Sequence, residues 1–301
     1  MSVRIGIDLG GTKIELIALD ESGQQLTRFR QDTPQGDYHT TLNTITNMVL
    51  DAEQSLSTST TVGIATPGAL SPATGKLRNA NSTCLNGQPI LQDLQQRLDR
   101  DIRIANDADC FTLSEAIDGA AVNANSVFGV IIGTGTGGGL VINKTLLQGP
   151  NAITGEWGHN PLPWQTEQDG NPRACYCGKT NCIETYLSGI GLSNTHKSLH
   201  QQHINAKQIH QLATTGNAPA EQTLQAYEDQ FARAIASIIN VFDPEMVVLG
   251  GGLSNMTRLI NNTPERLQAY LFSDTVLTQF AQAQHGDSSG VRGAAWLWPK
   301  Q

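Results

Sequence analysis

The sequence predicts an α/β protein built from two related halves, on three observations. Strand-like runs and amphipathic helices alternate along the chain. A unit of strand, glycine turn and returning strand occurs twice, near residues 5–19 and 127–143. Three glycine-rich turns, at 10–11, 133–139 and 250–252, each follow a strand. Element by element, the alternation at residues 3–9 predicts the first strand. Gly10-Gly11 turns the chain into a second strand at 15–19, and Asp20-Glu-Ser-Gly23 turns it into a third at 24–30. The sheet therefore begins as an antiparallel meander. Residues 38–56 place Leu42, Ile45, Met48, Val49 and Ala52 on one helical face, with Asp37 as N-cap. A strand at 61–66 is broken by Pro67-Gly68, and 70–89, rich in turn formers, reads as an ordered loop.

A helix at 91–98, a strand at 102–105 and a helix at 109–121 follow. The second half repeats the opening: an apolar strand at 126–132, a glycine turn at 133–139 and a returning strand at 140–143. The clearest helical pattern is 220–242, with Leu224, Tyr227, Phe231, Ile235, Ile238 and Phe242 at steps of three and four; Asp243-Pro244 stops it. A buried strand at 246–249 runs into Gly250-Gly251-Gly252, a helix follows, and a small-residue and aromatic helix at 293–298 ends the chain.

Composition narrows the function. A chain of 301 residues has room for about two domains. No stretch approaches the ~18 apolar residues of a membrane span, and the charged opening Met-Ser-Val-Arg-Ile-Gly has no signal-peptide core. A net charge of -8 without a Lys/Arg cluster argues against a nucleic-acid partner. Five cysteines are too few for a disulfide scaffold, and the odd number points to thiols or metal. The expectation is a cytoplasmic protein acting on small molecules.

The glycine turns suggest an anion site. Asp8-Leu-Gly10-Gly11-Thr12-Lys13 combines a close-approach turn with a hydroxyl, a cation and a strand-end carboxylate able to hold Mg²⁺. The plainer alternative is a solvated hairpin. Gly133-Thr134-Gly135-Thr-Gly-Gly-Gly139 has more glycine than a hairpin needs, and Gly250-Gly251-Gly252 lets a flat ring lie on backbone. Neither matches a P-loop or a Rossmann fingerprint. Three such turns resemble the actin/hexokinase-like (ribonuclease H-like) fold, in which two hairpins pinch the phosphates of ATP between domains. His159 with Cys175, Cys177 and Cys182 makes a Cys₃His set suited to closed, structural Zn²⁺, which would pin the loop 161–173. Three unrelated reduced thiols are the alternative. Cys84 and Cys110 read as packing residues, as do Trp157 and Trp164. His196, His200, His203 and His210 read as a solvated helical stretch.

Asp8 to Lys13, Asn106-Asp107-Ala108, Gly155-Glu156-Trp-Gly-His159 and Cys175-Tyr-Cys-Gly-Lys-Thr-Asn-Cys-Ile-Glu184 together resemble the ROK family of bacterial sugar kinases. The likeness covers nearly the whole chain. Asn181 stands where the family usually has Gly, a change that left-handed backbone tolerates in Asn. Residues 79–87, 159–164 and 285–296 further resemble the manno(fructo)kinase branch, with Cys84 where that branch commonly has Trp.

The resemblance implies a duplicated two-domain fold with its active site in the interdomain cleft. Residues 1–115 plus 290–301 would form a small domain, and 116–289 a large domain carrying the zinc loop. It implies ATP and Mg²⁺ held by Asp8, Gly10, Gly11, Thr12, Lys13, Gly133, Thr134, Gly135, Gly250, Gly251 and Gly252. Asp107 would be the general base taking the proton of the sugar hydroxyl. By itself, without the surrounding motif, Asp107 reads first as a helix cap. Asn81, Asn106, Asp107, Glu156, His159 and Glu184 would grip the hexose. His159 would give one ring nitrogen to zinc and turn the other to the sugar. The expected reaction is 6-phosphorylation of D-fructose, mannose being possible, by a homodimer. The alternatives are glucose or N-acetylglucosamine as acceptor, or a non-catalytic sugar sensor or repressor. The last is disfavoured because the first strand begins near Val3, leaving no room for a winged helix.

Overall fold

The computed structural model describes residues 2–80 and 82–299; Asn81 lies outside them. The chain divides into two compact units, one of residues 1–123, 139–154 and 284–301, the other of 124–138 and 155–283. Residues 116–123, 139–154 and 284–289, which the division drawn from sequence gave to the second domain, thus group with the first unit.

The first unit is built on β1 (Val3–Leu9), β2 (Lys13–Leu19), β3 (Gln25–Asp32), β4 (Thr60–Thr66) and β7 (Ile102–Asn106), in the order β3-β2-β1-β4-β7. The meander is antiparallel as predicted, while β4 and β7 join parallel to β1. Alternation puts Ile5, Ile7, Ile14, Leu16, Val62 and Ile64 into a core closed by α1 (Tyr38–Leu56) and α2 (Ile90–Leu98). The helical face read from sequence, Leu42 to Ala52, is the buried one, and Asp37 accepts from Thr40 N at 3.0 Å as the cap. Within 70–89, expected as a loop, β5 (Ala69–Leu70) and β6 (Leu77–Arg78) form a short ribbon. The sheet's other side is covered by α3 (Asp107–Asp118) and α9 (Ser289–Trp296). That approach needs glycine: a Cβ at Gly63 would lie 1.9 Å from Ala294 O, and one at Gly293 1.6 Å from Cys110 O.

The second sheet contains β8 (Ser126–Ile132), β9 (Thr136–Ile142), β10 (Thr145–Leu146), β11 (Met246–Gly250) and β12 (Gln279–Gln282), in the order β10-β9-β8-β11-β12. Two meander strands flank one side of the first strand and two parallel strands the other, the same path as in the first sheet. The repeat glimpsed in the glycine turns is therefore a repeat of topology.

The second glycine turn is shorter than its composition suggests. Only residues 133–135 turn, and β9 already begins at Thr136. Gly138 and Gly139 sit inside the strand because rings and backbone crowd them: a Cβ at Gly138 would meet Phe128 and Trp157 at 3.0 Å. Helices α4 (Glu184–Leu187), α5 (Gly189–His200), α6 (Ala206–Thr214), α7 (Ala218–Phe242) and α8 (Arg258–Leu267) complete the second unit. The histidine stretch is not simply solvated. His196 is buried, its Nδ1 2.8 Å from Thr223 Oγ1, and burial lowers its pKa. Nor does the loop 161–173 depend on metal alone. Buried Asp169 takes a two-pronged hydrogen bond from Arg233 on α7, at 2.9 and 2.7 Å, and further bonds from Gln230 Nε2 and Thr166 N.

Candidate active site and metal cluster

In the first unit, β1 and β7 end side by side with β4 between them. Asp8 is level with Ala65, and Asn106 with Thr66. Carboxyl ends of parallel strands are where ligands bind in such sheets. The β1–β2 turn is tied by Gly10 N to Lys13 O at 3.0 Å. It is braced from below by Thr33 Oγ1 on Gly10 O and Gln35 Nε2 on Gly11 O, both 2.8 Å. This bracing leaves Gly11, Thr12 and Lys13 exposed, as an anion-binding turn requires.

Asp107 opens α3, with Oδ1 accepting from Ala108 N at 2.8 Å, while Asn106 caps the helix by accepting from Asp109 N at 2.8 Å. The capping role weighed for Asp107 belongs to its neighbour. Burial raises the pKa of Asp8 to about 7, helped by the negative charges of Asp107 and Glu15 and opposed by Arg30. Arg30 acts weakly because Glu15 already holds both Arg28 and Arg30. Asp107 reaches solvent, yet protein crowds its carboxylate from enough directions to raise its pKa too, against the backbone N–H groups that favour the ion. A pair of carboxylates whose proton affinity is raised, beside an exposed anion turn, is suited, once ionised, to binding a divalent cation and accepting a proton.

In the second unit, Gly133 N bonds Gly135 O at 3.0 Å and Gly189 N bonds Gly133 O at 2.8 Å. Gly133, Thr134 and Gly252 line a cavity of about 850 Å³, of a size for a nucleoside. A Cβ on Gly133 or Gly252 would find nothing within 4 Å, so both leave open space for a flat ring. Gly251 is glycine for another reason: its φ is +79°, and a Cβ would stand 2.5 Å from Ile132 O. Gly250 ends β11. Sequence reasoning missed the far wall, where Ile190, Lys207, His210 and Met256 line the same cavity. Those helices carry no motif, and only the fold brings them to the turns.

Glu184 starts α4, and its Oε2 accepts from Thr136 N at 3.0 Å. His159 Nε2 is 4.0 Å from Glu156 Oε2 and 3.0 Å from Tyr176 Oη. Its other nitrogen, Nδ1, faces Cys175 Sγ at 3.6 Å, while Cys177 and Cys182 Sγ are 3.6 Å apart. All four donor atoms lie within 4.8 Å of one another. Tetrahedral zinc with bonds of about 2.0–2.3 Å needs donors about 3.3–3.8 Å apart, so the set fits zinc with little movement. Asn181 has φ +59°, the left-handed backbone its position demands. Burial holds the Cys182 thiol up at about 12, whereas the Lys179 N–H lowers that of Cys177. Trp157 is buried, its Nε1 donating to Gly137 O at 3.0 Å, and Cys110 is buried as expected. Trp164 is half exposed and stacks on Tyr270.

Residues 4–301 match the sequence profile of the ROK family. The chain is 39% identical over 296 residues to the N-acetyl-D-glucosamine kinase of Shigella flexneri serotype 5b, covering 97% of this chain and 98% of that one. Among solved structures it is similar to the ROK hexokinase from Thermus thermophilus, with TM-score 0.86, 27% identity and coverage of 97% and 96%. It is also similar to a ROK family glucokinase from Streptomyces griseus in complex with glucose and AMPPNP, with TM-score 0.76, 25% identity and coverage of 98% and 99%. The duplicated α/β architecture is that of the actin/hexokinase-like class. No helix among the described residues is long and apolar enough to cross a membrane.

Proposed function

Since the chain belongs to the ROK family, we propose that it is an ATP-dependent sugar kinase whose acceptor is the 6-hydroxyl of N-acetyl-D-glucosamine. The observation that carries the acceptor is the 39% identity to an N-acetyl-D-glucosamine kinase along 97% of the chain. Asp107 accepts the proton of the attacking hydroxyl, and its raised pKa suits that task. Asp8 holds Mg²⁺, the Gly10–Lys13 turn meets the phosphates, and the cavity at Gly133 and Gly252 takes the base. Asn106, Glu156, His159 and Glu184 hold the sugar. Zinc would be held by His159 Nδ1 and the Sγ atoms of Cys175, Cys177 and Cys182. With four protein donors it supplies rigidity rather than reaction chemistry.

D-Fructose, with mannose, is the second reading, favoured by the likeness of residues 79–87, 159–164 and 285–296 to the manno(fructo)kinase branch. The fold gives part of that likeness a purely structural cause. His285, Arg292 and Trp296 converge on Asp118, and Asn86 ties both backbone groups of Ala80. Such contacts hold a loop and a helix in place whichever sugar is bound, so they say little about the acceptor. A panel of hexoses in an ADP-release assay tests the reading. Turnover of N-acetyl-D-glucosamine with little of fructose supports it, the reverse favours the second, and no turnover of any hexose removes both.

A further inference from the structure

We propose that Glu115 is a positioning residue for the Mg²⁺ site: its buried carboxylate holds the segment 284–289, and through it the first turn of α9, beside Asp8. This inference rests on the reading of Asp8 given above and goes beyond it to what fixes the surroundings of that carboxylate.

Glu115 is fully buried in the last turn of α3, about two turns beyond Asp107 on the same helix. Nothing in the helix itself calls for an acid there, because an anion near a helix C-terminus opposes the dipole. Buried Glu15, Asp169 and Glu228 each pair with arginine. Glu115 instead collects four neutral donors. Its Oε1 accepts from His285 N at 3.1 Å and from Ser289 Oγ at 2.8 Å. Its Oε2 accepts from Gln284 N and Ala120 N, both at 2.9 Å. Four donors fill the acceptor capacity of a carboxylate. Gly119 keeps room for the group, since a Cβ there would stand 2.3 Å from Oε2.

Three of the four donors belong to a segment 169 to 174 residues away in sequence, and that segment leads straight to the metal side. Ser289 opens α9, and a Cβ on Gly290, the next residue, would lie 3.3 Å from Asp8 Oδ2. Farther along, α9 has supports of its own: Gly6 lets β1 approach Val291, and Gly293 lets the helix approach Cys110. The first turn is held by Glu115. Because that turn limits where the Asp8 carboxylate can swing, its anchor governs the seat Asp8 offers a cation, as groups behind a metal ligand do.

The test uses Glu115→Gln, which keeps the shape but replaces one acceptor oxygen by a donor facing groups that already donate. Calorimetry measures binding of AMPPNP with Mg²⁺ and with EDTA, and separately the binding of N-acetyl-D-glucosamine and D-fructose. In Mg²⁺ the variant should bind AMPPNP about 10-fold more weakly, the low end for a residue acting through a metal ligand, with metal-free AMPPNP and sugar affinities within about twofold of wild type. Ser289→Ala removes one donor only and should shift the Mg²⁺-dependent affinity the same way by about threefold. Equal losses with and without Mg²⁺ overturn the proposal and make Glu115 a support of the fold. Should Glu115→Gln fail to fold, Ser289→Ala decides alone: a loss confined to Mg²⁺ sustains the proposal, and none overturns it. If wild type binds neither nucleotide nor any hexose, the kinase reading falls and this inference with it. A wild type that binds AMPPNP with Mg²⁺, beside two variants that match it, overturns Glu115 alone.

Discussion

Asp8 keeps its proton to about pH 7 in a fold where burial and the charges of Asp107 and Glu15 all work against the carboxylate. Its folded pKa is raised above the unfolded value near 3.9. Its contribution to stability is therefore full below about pH 4 and is lost as pH climbs through 7. Asp8→Asn should accordingly be more stable than wild type at pH 8, by about 2–4 kcal/mol, with the gain vanishing near pH 4. Denaturant titrations at the two pH values check this, and equal stability at pH 8 would refute the buried charge. The same variant should lose Mg²⁺-dependent nucleotide binding. Asp107→Asn should lower kcat by about 10²–10⁴ while calorimetric sugar binding survives. Near-normal turnover would remove Asp107 from the role of base. Both aspartates were legible in the sequence, because each stands at the end of a strand within a short motif. Their mutual effect was not, since 99 residues separate them and only the shared sheet brings their strand ends together.

At the level of elements, the segment 161–173 shows how far sequence reasoning extends. Its cysteine and histidine neighbours announce a metal clip, and from sequence alone the loop has little else to fold around. The structure adds an anchor that no spacing reveals, the buried pair of Asp169 with Arg233 on α7. Asp169→Ala should destabilise the protein by about 2–3 kcal/mol, because a buried guanidinium loses its two-pronged partner and keeps only Asp229 Oδ2, at 2.9 Å, and the carbonyls of Pro163 and Trp164. Replacing both, as Asp169→Leu with Arg233→Met, should recover much of that loss. Denaturant melts of the three proteins decide it; a double variant no better than the single one would mean the pair itself, not its imbalance, holds the loop. The turns behave likewise. Gly10–Gly11 is the turn its residues predict, but in the run 133–139 the last glycines serve packing inside β9. Composition reports that a backbone must be approached closely, not whether a ligand, a ring or a helix does the approaching.

Across the whole molecule, zinc is the element of the reading most open to direct measurement. About one equivalent per chain is expected, and chelation should lower the melting temperature by only a few degrees, because the Asp169–Arg233 anchor persists. It should also weaken sugar binding as His159 loosens. Elemental analysis and calorimetry check both; a metal-free protein with intact sugar affinity would dissociate the cluster from the site. The amino-acid pattern by itself determined the α/β class, the repeated strand–turn–strand unit, the α1 face with its Asp37 cap, the Cys₃His set and the acidic residues at strand ends. These depend on period, on turn chemistry and on donor type, all of which act over a few residues. Only the tertiary structure decided the identical strand order of the two sheets, the far wall of the cavity at Gly133, the burial of His196, and the convergence of His285, Arg292 and Trp296 on Asp118. Each of those joins side chains tens to hundreds of residues apart, and such contacts are selected by packing and desolvation, which leave no local periodicity to read.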